Sequence, residues 1–339
     1  MAKSSSAHVE SVEPIRREDL APAAAMGGLL VVSVLLAMAS ARLYKAAGVQ
    51  VFENPQDVGN VAFYLVLVIA FTAVILLIAR YGLGKLIRYI FLSFVLLTII
   101  YVAAPIIGAG LAATIGDPVW LALPELGGAV TPSVVAGVAI AVGLTILLYK
   151  YPEWWVIDVT GVALAAGSAA IFGISFGLLP ALLLLIGFAA YDAIAVYRTK
   201  HMIDLADQVL ELRLPIMLVV PKRRGYSFLA DAKRLKDRVE KNEPREAMFM
   251  GLGDIVIPSV LIVSSLAFLD PTRLIGGIAG NWVVAFATLA GTLAGYCILM
   301  SFVLRGRPQA GLPSLNGGAI VGFFLALLPT YGLAPLLPM

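Results

Sequence analysis

The chain contains Met248-Phe-Met-Gly-Leu-Gly-Asp-Ile-Val-Ile-Pro-Ser-Val-Leu261, an apolar stretch with one carboxylate, Asp254, near its middle. A second aspartate, Asp192, follows the apolar run 182–190. A carboxylate at membrane depth costs about 2.5–3.5 kcal/mol on insertion scales, so it is seldom kept without a partner or a task. A helix-packing hydrogen bond explains one such residue. Two of them, on either side of the same basic loop, predict a paired-carboxylate site.

The composition is that of an integral membrane protein. Of the 339 residues, 60% are apolar and 13% are charged, whereas soluble domains carry about 25% charged residues. The single cysteine, Cys297, lies in an apolar run, which excludes a disulfide framework and a cysteine-based metal site. The formal net charge of +3 is explained by topology, so we expect no nucleic-acid binding.

Nine segments are long and apolar enough to cross a bilayer core. They lie near 22–43, 58–79, 86–113, 130–149, 155–175, 178–197, 247–269, 274–304 and 312–335. The predicted fold is an all-α polytopic membrane protein of about nine transmembrane helices. Its parts are a polar N-terminal tail (1–21), helices one to six (22–197), a cytoplasmic loop (198–246) and helices seven to nine (247–339).

The distribution of Lys and Arg predicts the orientation. With a cytoplasmic N-terminus, 21 of the 24 basic residues fall in cytoplasmic segments, twelve of them in the loop 198–246. Only Arg42, Lys45 and Arg273 then lie outside. This asymmetry follows the positive-inside rule. We therefore expect insertion in the cell membrane with the N-terminus and the loop cytoplasmic and the C-terminus external.

The two aspartates are predicted to lie at one depth. Asp192 precedes Arg198 by six residues, and Asp254 follows Glu246 by eight. At 1.5 Å per residue, both carboxylates are roughly 9–12 Å below the cytoplasmic surface. If helices six and seven are neighbours, the two carboxylates face each other, and because like charges that close cannot both ionise, the pair would share a proton. One can then activate a water while the other polarises the scissile carbonyl and protonates the leaving amine, which predicts an aspartyl protease.

Residues beside the aspartates are candidates for substrate binding. Gly251 and Gly253 precede Asp254 and would let a substrate or a neighbouring helix approach the backbone closely. Tyr191 precedes Asp192; it either supplies a hydroxyl to the site or is an ordinary interfacial tyrosine.

Two further segments are candidates for holding a substrate. The run 214–220, which contains Leu218 and Val219, is apolar and partly β-branched within a charged loop. It is either a strand or turn on the membrane surface, or a strand that pairs with an extended substrate. Leu312 and Pro313 open the last span, where Pro313 leaves a helix end whose backbone can accept partners.

Other kinds of protease site are excluded. Histidine occurs only at His8 and His201, outside every span. The chain therefore has no His-Glu-x-x-His zinc motif and no Ser-His pair within the membrane, and we expect no metal and no cofactor. Asp158, near Trp154 and Trp155, is interpreted as a solvated or hydrogen-bonded carboxylate.

The chain resembles the presenilin and signal peptide peptidase family of intramembrane aspartyl proteases. The resemblance is carried by Tyr191-Asp192, by Gly251-Leu-Gly-Asp254 and by Ala310-Gly-Leu-Pro313. In the third motif, Ala310 and Gly311 replace the first two residues of the family's Pro-Ala-Leu-Pro. The resemblance covers the chain from about Pro22 onward and is typical of a compact microbial member. It implies a presenilin-like fold and substrates that are transmembrane helices or signal-peptide remnants.

An ion-coupled transporter or channel is the alternative, because paired carboxylates can also relay protons or cations. The odd number of spans, the lack of an evident internal repeat and the position of both acids toward one face favour the protease. A non-catalytic scaffold would leave the two acids unexplained. The expected partners are transmembrane-helix substrates and the lipid bilayer, and homo-oligomerisation is left open.

Overall fold

The computed structural model describes residues 17–115, 132–196, 217–223, 225–229, 246–305 and 309–337. In these ranges it contains nine α-helices of at least 17 residues and two short antiparallel strand pairs. The helices are α1 (Arg17–Ala46), α2 (Gly59–Arg80), α3 (Gly84–Ile115), α4 (Pro132–Lys150), α5 (Trp154–Ser175), α6 (Leu178–Ile194), α7 (Leu252–Phe268), α8 (Gly280–Val303) and α9 (Gly311–Tyr331). The strands are β1 (Met217–Pro221), β2 (Ala247–Gly251), β3 (Leu274–Ile275) and β4 (Ile278–Ala279), and a 3₁₀ turn covers Ala334–Leu336.

The predicted all-α membrane fold is confirmed. Within the described residues, seven helices are long and apolar enough to cross a membrane, and α6 and α7 are shorter apolar helices. With 17 residues each, α6 and α7 reach about 26 Å, somewhat less than a typical hydrocarbon core. These two short helices are the ones that carry Asp192 and Asp254.

Two spans begin later than predicted. Residues 247–251 form β2, so α7 begins at Leu252 rather than near 247. Residues 274–279 form the hairpin β3–β4 before α8, and its turn residues Gly276 and Gly277 both have positive φ, 56° and 83°. A two-residue turn of this kind requires positive φ at both positions, which glycine adopts without strain. A short apolar strand and the first turn of an apolar helix have the same hydropathy, so hydropathy alone places the start of both helices too early.

Helix α5 lies at the centre of the bundle. It packs against α1, α3, α7 and β1, and two thirds of its membrane-spanning window is buried. Helix α2 lies at the periphery, since only Val61 and Ile75 are buried along it. The aspartate-bearing helices α6 and α7 pack against each other, and α9 packs against both.

Helices α8 and α9 are in backbone-to-backbone contact. A Cβ added at Gly318 would lie 2.2 Å from the carbonyl oxygen of Gly291, and one added at Gly295 would lie 2.2 Å from that of Ser314. Small residues at such a crossing allow the close van der Waals packing that associates helices in lipid. The crossing fixes the N-terminal end of α9, which enters the candidate site.

Candidate active site

Asp192 lies in the last turn of α6 and is 5% exposed. Its Oδ2 accepts a hydrogen bond of 3.1 Å from the Leu312 N–H at the start of α9, and the Gly311 N–H also donates to this carboxylate. The N–H groups of a first helical turn have no partner within the helix and form the positive end of its dipole. Pro313 lacks an N–H at a position where none would be bonded in the helix. The N-terminus of α9 therefore holds the Asp192 carboxylate.

Asp254 is the third residue of α7 and is half-buried. The Gly251 N–H donates a hydrogen bond to its carboxylate. On its other side lies Gly311, where an added Cβ would be 3.0 Å from Asp254 Oδ1. Asp254 therefore occupies a helix N-terminus, where a negative charge is favoured, rather than the middle of a helix.

Gly311 lies between the two carboxylates. Its N–H donates to the Asp192 carboxylate, and a Cβ added to it would lie 3.0 Å from Asp254 Oδ1. The structure thus brings the two predicted aspartates together at the ends of α6, α7 and α9. Gly311 was not among the predicted site residues. Its place in the Leu312-Pro313 motif was the available signal.

The comparisons with known proteins agree with this geometry. The family model described as "Signal-peptide peptidase, presenilin aspartyl protease" matches residues 27–331. The chain belongs to this family. It is an intramembrane aspartyl protease.

Two solved structures are similar to this presenilin-family protease. A presenilin family intramembrane aspartate protease in space group C222 is 33% identical, with a TM-score of 0.62 over 91% of this chain and 99% of that chain. A presenilin family intramembrane aspartate protease in space group P2 is 32% identical, with a TM-score of 0.58 over 90% and 97%. No match is found among the curated proteins. The match to proteases decides against the transporter alternative.

The glycines before Asp254 differ in their surroundings in the protease. An added Cβ at Gly253 would meet no atom within 4 Å, and Gly253 is exposed. An added Cβ at Gly251 would lie 3.5 Å from Asp254 Oδ2. Tyr191 is half-buried on α6, next to Asp192. Gly253 therefore borders open space beside the carboxylate.

The predicted strand in the loop is present as β1, within a sheet of the protease's own strands. β1 pairs antiparallel with β2, with Val219 opposite Phe249. Leu218 and Val219 are fully buried. Leu214 to Ile216, the first part of the predicted run, lies outside the described residues.

Two carboxylates, Asp158 of α5 and Glu153 just before the helix, hold this part of the loop. Asp158 Oδ1 accepts a hydrogen bond of 2.7 Å from the Val219 N–H. Glu153 accepts bonds of 2.7 Å from Ser227 Oγ and 3.0 Å from the Phe228 N–H. Both acids are more than nine-tenths buried. Of the two interpretations of Asp158, the hydrogen-bonded one applies.

The register of the sheet determines which strand edge is open. The Lys222 N–H donates to the Glu246 carbonyl at 2.9 Å, and hydrogen-bonded pairs alternate along an antiparallel ladder. Val219 and Phe249 therefore form a non-hydrogen-bonded pair whose backbone groups point outward. The outward N–H of Val219 is taken by Asp158, whereas no partner for the Phe249 backbone lies among the described residues. Among the described residues, the strand edge beside Asp254 that has an unpaired backbone position is that of β2.

Proposed function

We propose that this protease cleaves transmembrane helices or signal-peptide remnants within the bilayer, with Asp192 and Asp254 as its catalytic dyad. The supporting observation is that the N-terminus of α9 contacts both carboxylates, through the Leu312 N–H at 3.1 Å and the close approach of Gly311. Three helix ends from distant parts of the sequence thus converge on one pair of acids.

The dyad works with one proton shared between the two carboxyl groups. The ionised carboxylate takes a proton from a water molecule as the water oxygen attacks the scissile carbonyl carbon. The protonated carboxyl donates its proton to the carbonyl oxygen. When the tetrahedral intermediate collapses, the carbon–nitrogen bond breaks, the leaving amine takes up a proton from one carboxyl group, and a hydroxyl of the intermediate returns its proton to the other carboxylate, which restores the dyad with one proton. The backbone donors of Gly311 and Leu312 keep Asp192 oriented during these transfers.

The substrate is held as an extended strand along β2. A helical substrate must unwind locally before attack, because its carbonyl groups are hydrogen-bonded within the helix. An unwound segment can satisfy its backbone at the open edge of β2, which leads directly into Gly251 and Asp254. The exposed Gly253 leaves room for the scissile peptide, while Tyr191, Leu312 and Pro313 border the dyad.

Leu218 and Val219 act indirectly in this proposal. They are buried in β1, which pairs with the inner edge of β2. The two residues therefore fix the strand that receives the substrate.

We place the N-terminus and the loop 198–246 in the cytoplasm and the C-terminus outside. The positive-inside asymmetry supports this orientation. A salt bridge of 2.6 Å between Lys222 Nζ and Asp19 Oδ1 supports placing the loop and the start of α1 on one side of the membrane. The dyad then opens toward the cytoplasmic half of the bilayer.

Single Asp192→Asn and Asp254→Asn variants test the dyad. Each is expected to abolish cleavage of a purified model transmembrane substrate, because the two carboxyl groups act as a unit. Asp57→Asn is the matched control, since Asp57 caps the start of α2 through Gly59 and asparagine keeps that acceptor. Substantial hydrolysis by either dyad variant, with folding intact by circular dichroism, would refute the assignment.

A further inference from the structure

A cavity lies at the opposite ends of the helices from the dyad. Its volume is about 200 Å³, and it is bounded by α1, α5, α7 and α8. Its apolar walls include Met38, Ile174, Leu266 and Trp282. Leu266 follows Asp254 by 12 residues on α7, which corresponds to roughly 18 Å along the helix axis. This cavity is therefore separate from the active site.

Two cationic residues of α1 lie at this cavity. Arg42 and Lys45 line it, both are exposed, and no acidic residue is among its lining residues. They follow Met38 at spacings of four and seven residues, so all three share one helix face. The cavity thus combines an apolar interior with a positive charge at its edge.

The position of the Lys45 ammonium is fixed by its neighbours. Lys45 Nζ donates to the Ala267 carbonyl at 3.3 Å and lies 5.2 Å from the centre of the Phe268 ring. The Arg42 guanidinium has no hydrogen-bond or ion-pair partner within the described part of the chain. A bound anion would therefore find one anchored cation and one unpaired cation side by side.

The charge pattern also singles out these residues. They are two of the only three basic residues that the proposed orientation leaves on the external side. Basic residues are disfavoured there by the positive-inside rule, whereas a tryptophan such as Trp282 is typical of the interface with lipid headgroups. A specific ligand at this interface would account for the exception.

We propose that this cavity binds a phospholipid with a net negative headgroup. The headgroup phosphate lies against Arg42 and Lys45, and part of one acyl chain occupies the apolar interior. The volume supports this class of ligand. Pockets that enclose a drug-sized molecule have about 300–1,000 Å³, so this smaller cavity of about 200 Å³ can hold only part of a ligand. A lipid can leave its remaining chain and glycerol in the bilayer.

Quenching of Trp282 by brominated lipids tests the proposal. The full-length protein is reconstituted in phosphatidylcholine vesicles that contain increasing fractions of phosphatidylglycerol or phosphatidylcholine with brominated chains. The Trp282 signal is the difference in fluorescence between the wild-type protein and Trp282→Phe. Half-maximal quenching is expected at a lower fraction of the anionic lipid than of the zwitterionic lipid.

Matched variants assign the effect to the site. Arg42→Gln should raise the half-quenching fraction of phosphatidylglycerol about fivefold, and Arg80→Gln, an exposed cation at the end of α2, should leave it unchanged. Ala39→Phe, at an exposed position that lines the cavity, should reduce the Trp282 quenching by both lipids.

Three outcomes would overturn the proposal. The first is equal quenching by the two lipids. The second is an Arg42→Gln protein that behaves like the wild-type protein. The third is full displacement of the anionic lipid by inorganic phosphate, which would identify a site for free anions without a role for the acyl chain.

Discussion

Replacing Asp158 tests whether the β1–β2 sheet must be held against α5 for a substrate to be cut. Asp158→Leu removes the acceptor of the 2.7 Å hydrogen bond from the Val219 N–H. Because Val219 is fully buried, its N–H is left without a partner, which costs about 1–3 kcal/mol. Asp158→Asn keeps an acceptor oxygen at the same place and is expected to lose only about 1 kcal/mol, the difference between a charged and a neutral acceptor.

This cost destabilises the docked form of the enzyme, in which the β1–β2 sheet is packed against α5. If substrates are cut only when the sheet is docked, this cost lowers the docked fraction and with it the turnover of transmembrane substrates. A cost of about 1–3 kcal/mol corresponds to a loss of at most about 5- to 150-fold in the Asp158→Leu enzyme. By the same conversion the Asp158→Asn enzyme loses at most about fivefold and should remain more active than the Asp158→Leu enzyme. Neither change touches the dyad, so both variants should bind a small transition-state mimic with the wild-type affinity.

The assay compares cleavage of a model transmembrane substrate with binding of the mimic in the same purified preparations. Thr160→Val is the matched control: Thr160 lies two residues further along α5, and its buried hydroxyl has no hydrogen-bond partner in the described structure. An Asp158→Leu enzyme that cleaves the substrate at the wild-type rate would refute the reasoning. So would a loss of mimic binding, because Asp158 would then act on the dyad rather than through the sheet.

Three further predictions concern the strand edge, the helix crossing and the topology. Phe249→Pro removes the outward N–H of β2 but no bond to β1, so it should reduce cleavage of transmembrane substrates and leave mimic binding intact; unchanged cleavage would exclude strand pairing at this edge. Gly318→Ala places a Cβ 2.2 Å from the Gly291 carbonyl oxygen and should destabilise the protein by about 1–3 kcal/mol in thermal unfolding. Gly317→Ala is the control and should leave the stability unchanged, because its Cβ would meet no atom within 4 Å. Equal stability of the two variants would contradict the close crossing of α8 and α9. In a Lys222→Cys variant, the new thiol should react with an impermeant reagent only from the cytoplasmic side. Labelling from the external side would show that the orientation is the opposite of the one proposed.

Much of the fold could be predicted because membrane insertion depends on local properties of the sequence. A span needs about 20 apolar residues whatever its neighbours are, so hydropathy located all nine helices. The cost of a carboxylate in the membrane singled out Asp192 and Asp254 in the same way. Sequence could not fix where α7 begins, because the apolar segment 247–251 fits a strand as well as a helix, and pairing with β1 decided between them.

The contacts of the site were decided by tertiary structure. Asp192 and Leu312 are 120 residues apart in the chain, and Asp158 and Val219 are 61 apart, so no periodicity or spacing relates them. Gly311 shows the same limit: its place in the Leu312-Pro313 motif marks it as a residue near the site, but only the fold shows that it contacts both carboxylates. By itself the sequence determined the membrane spans, the two acids and the family, since these depend on side-chain chemistry along the chain. Which backbone N–H groups hold those acids depends on how α6, α7 and α9 pack, and that packing exists only in the folded protein.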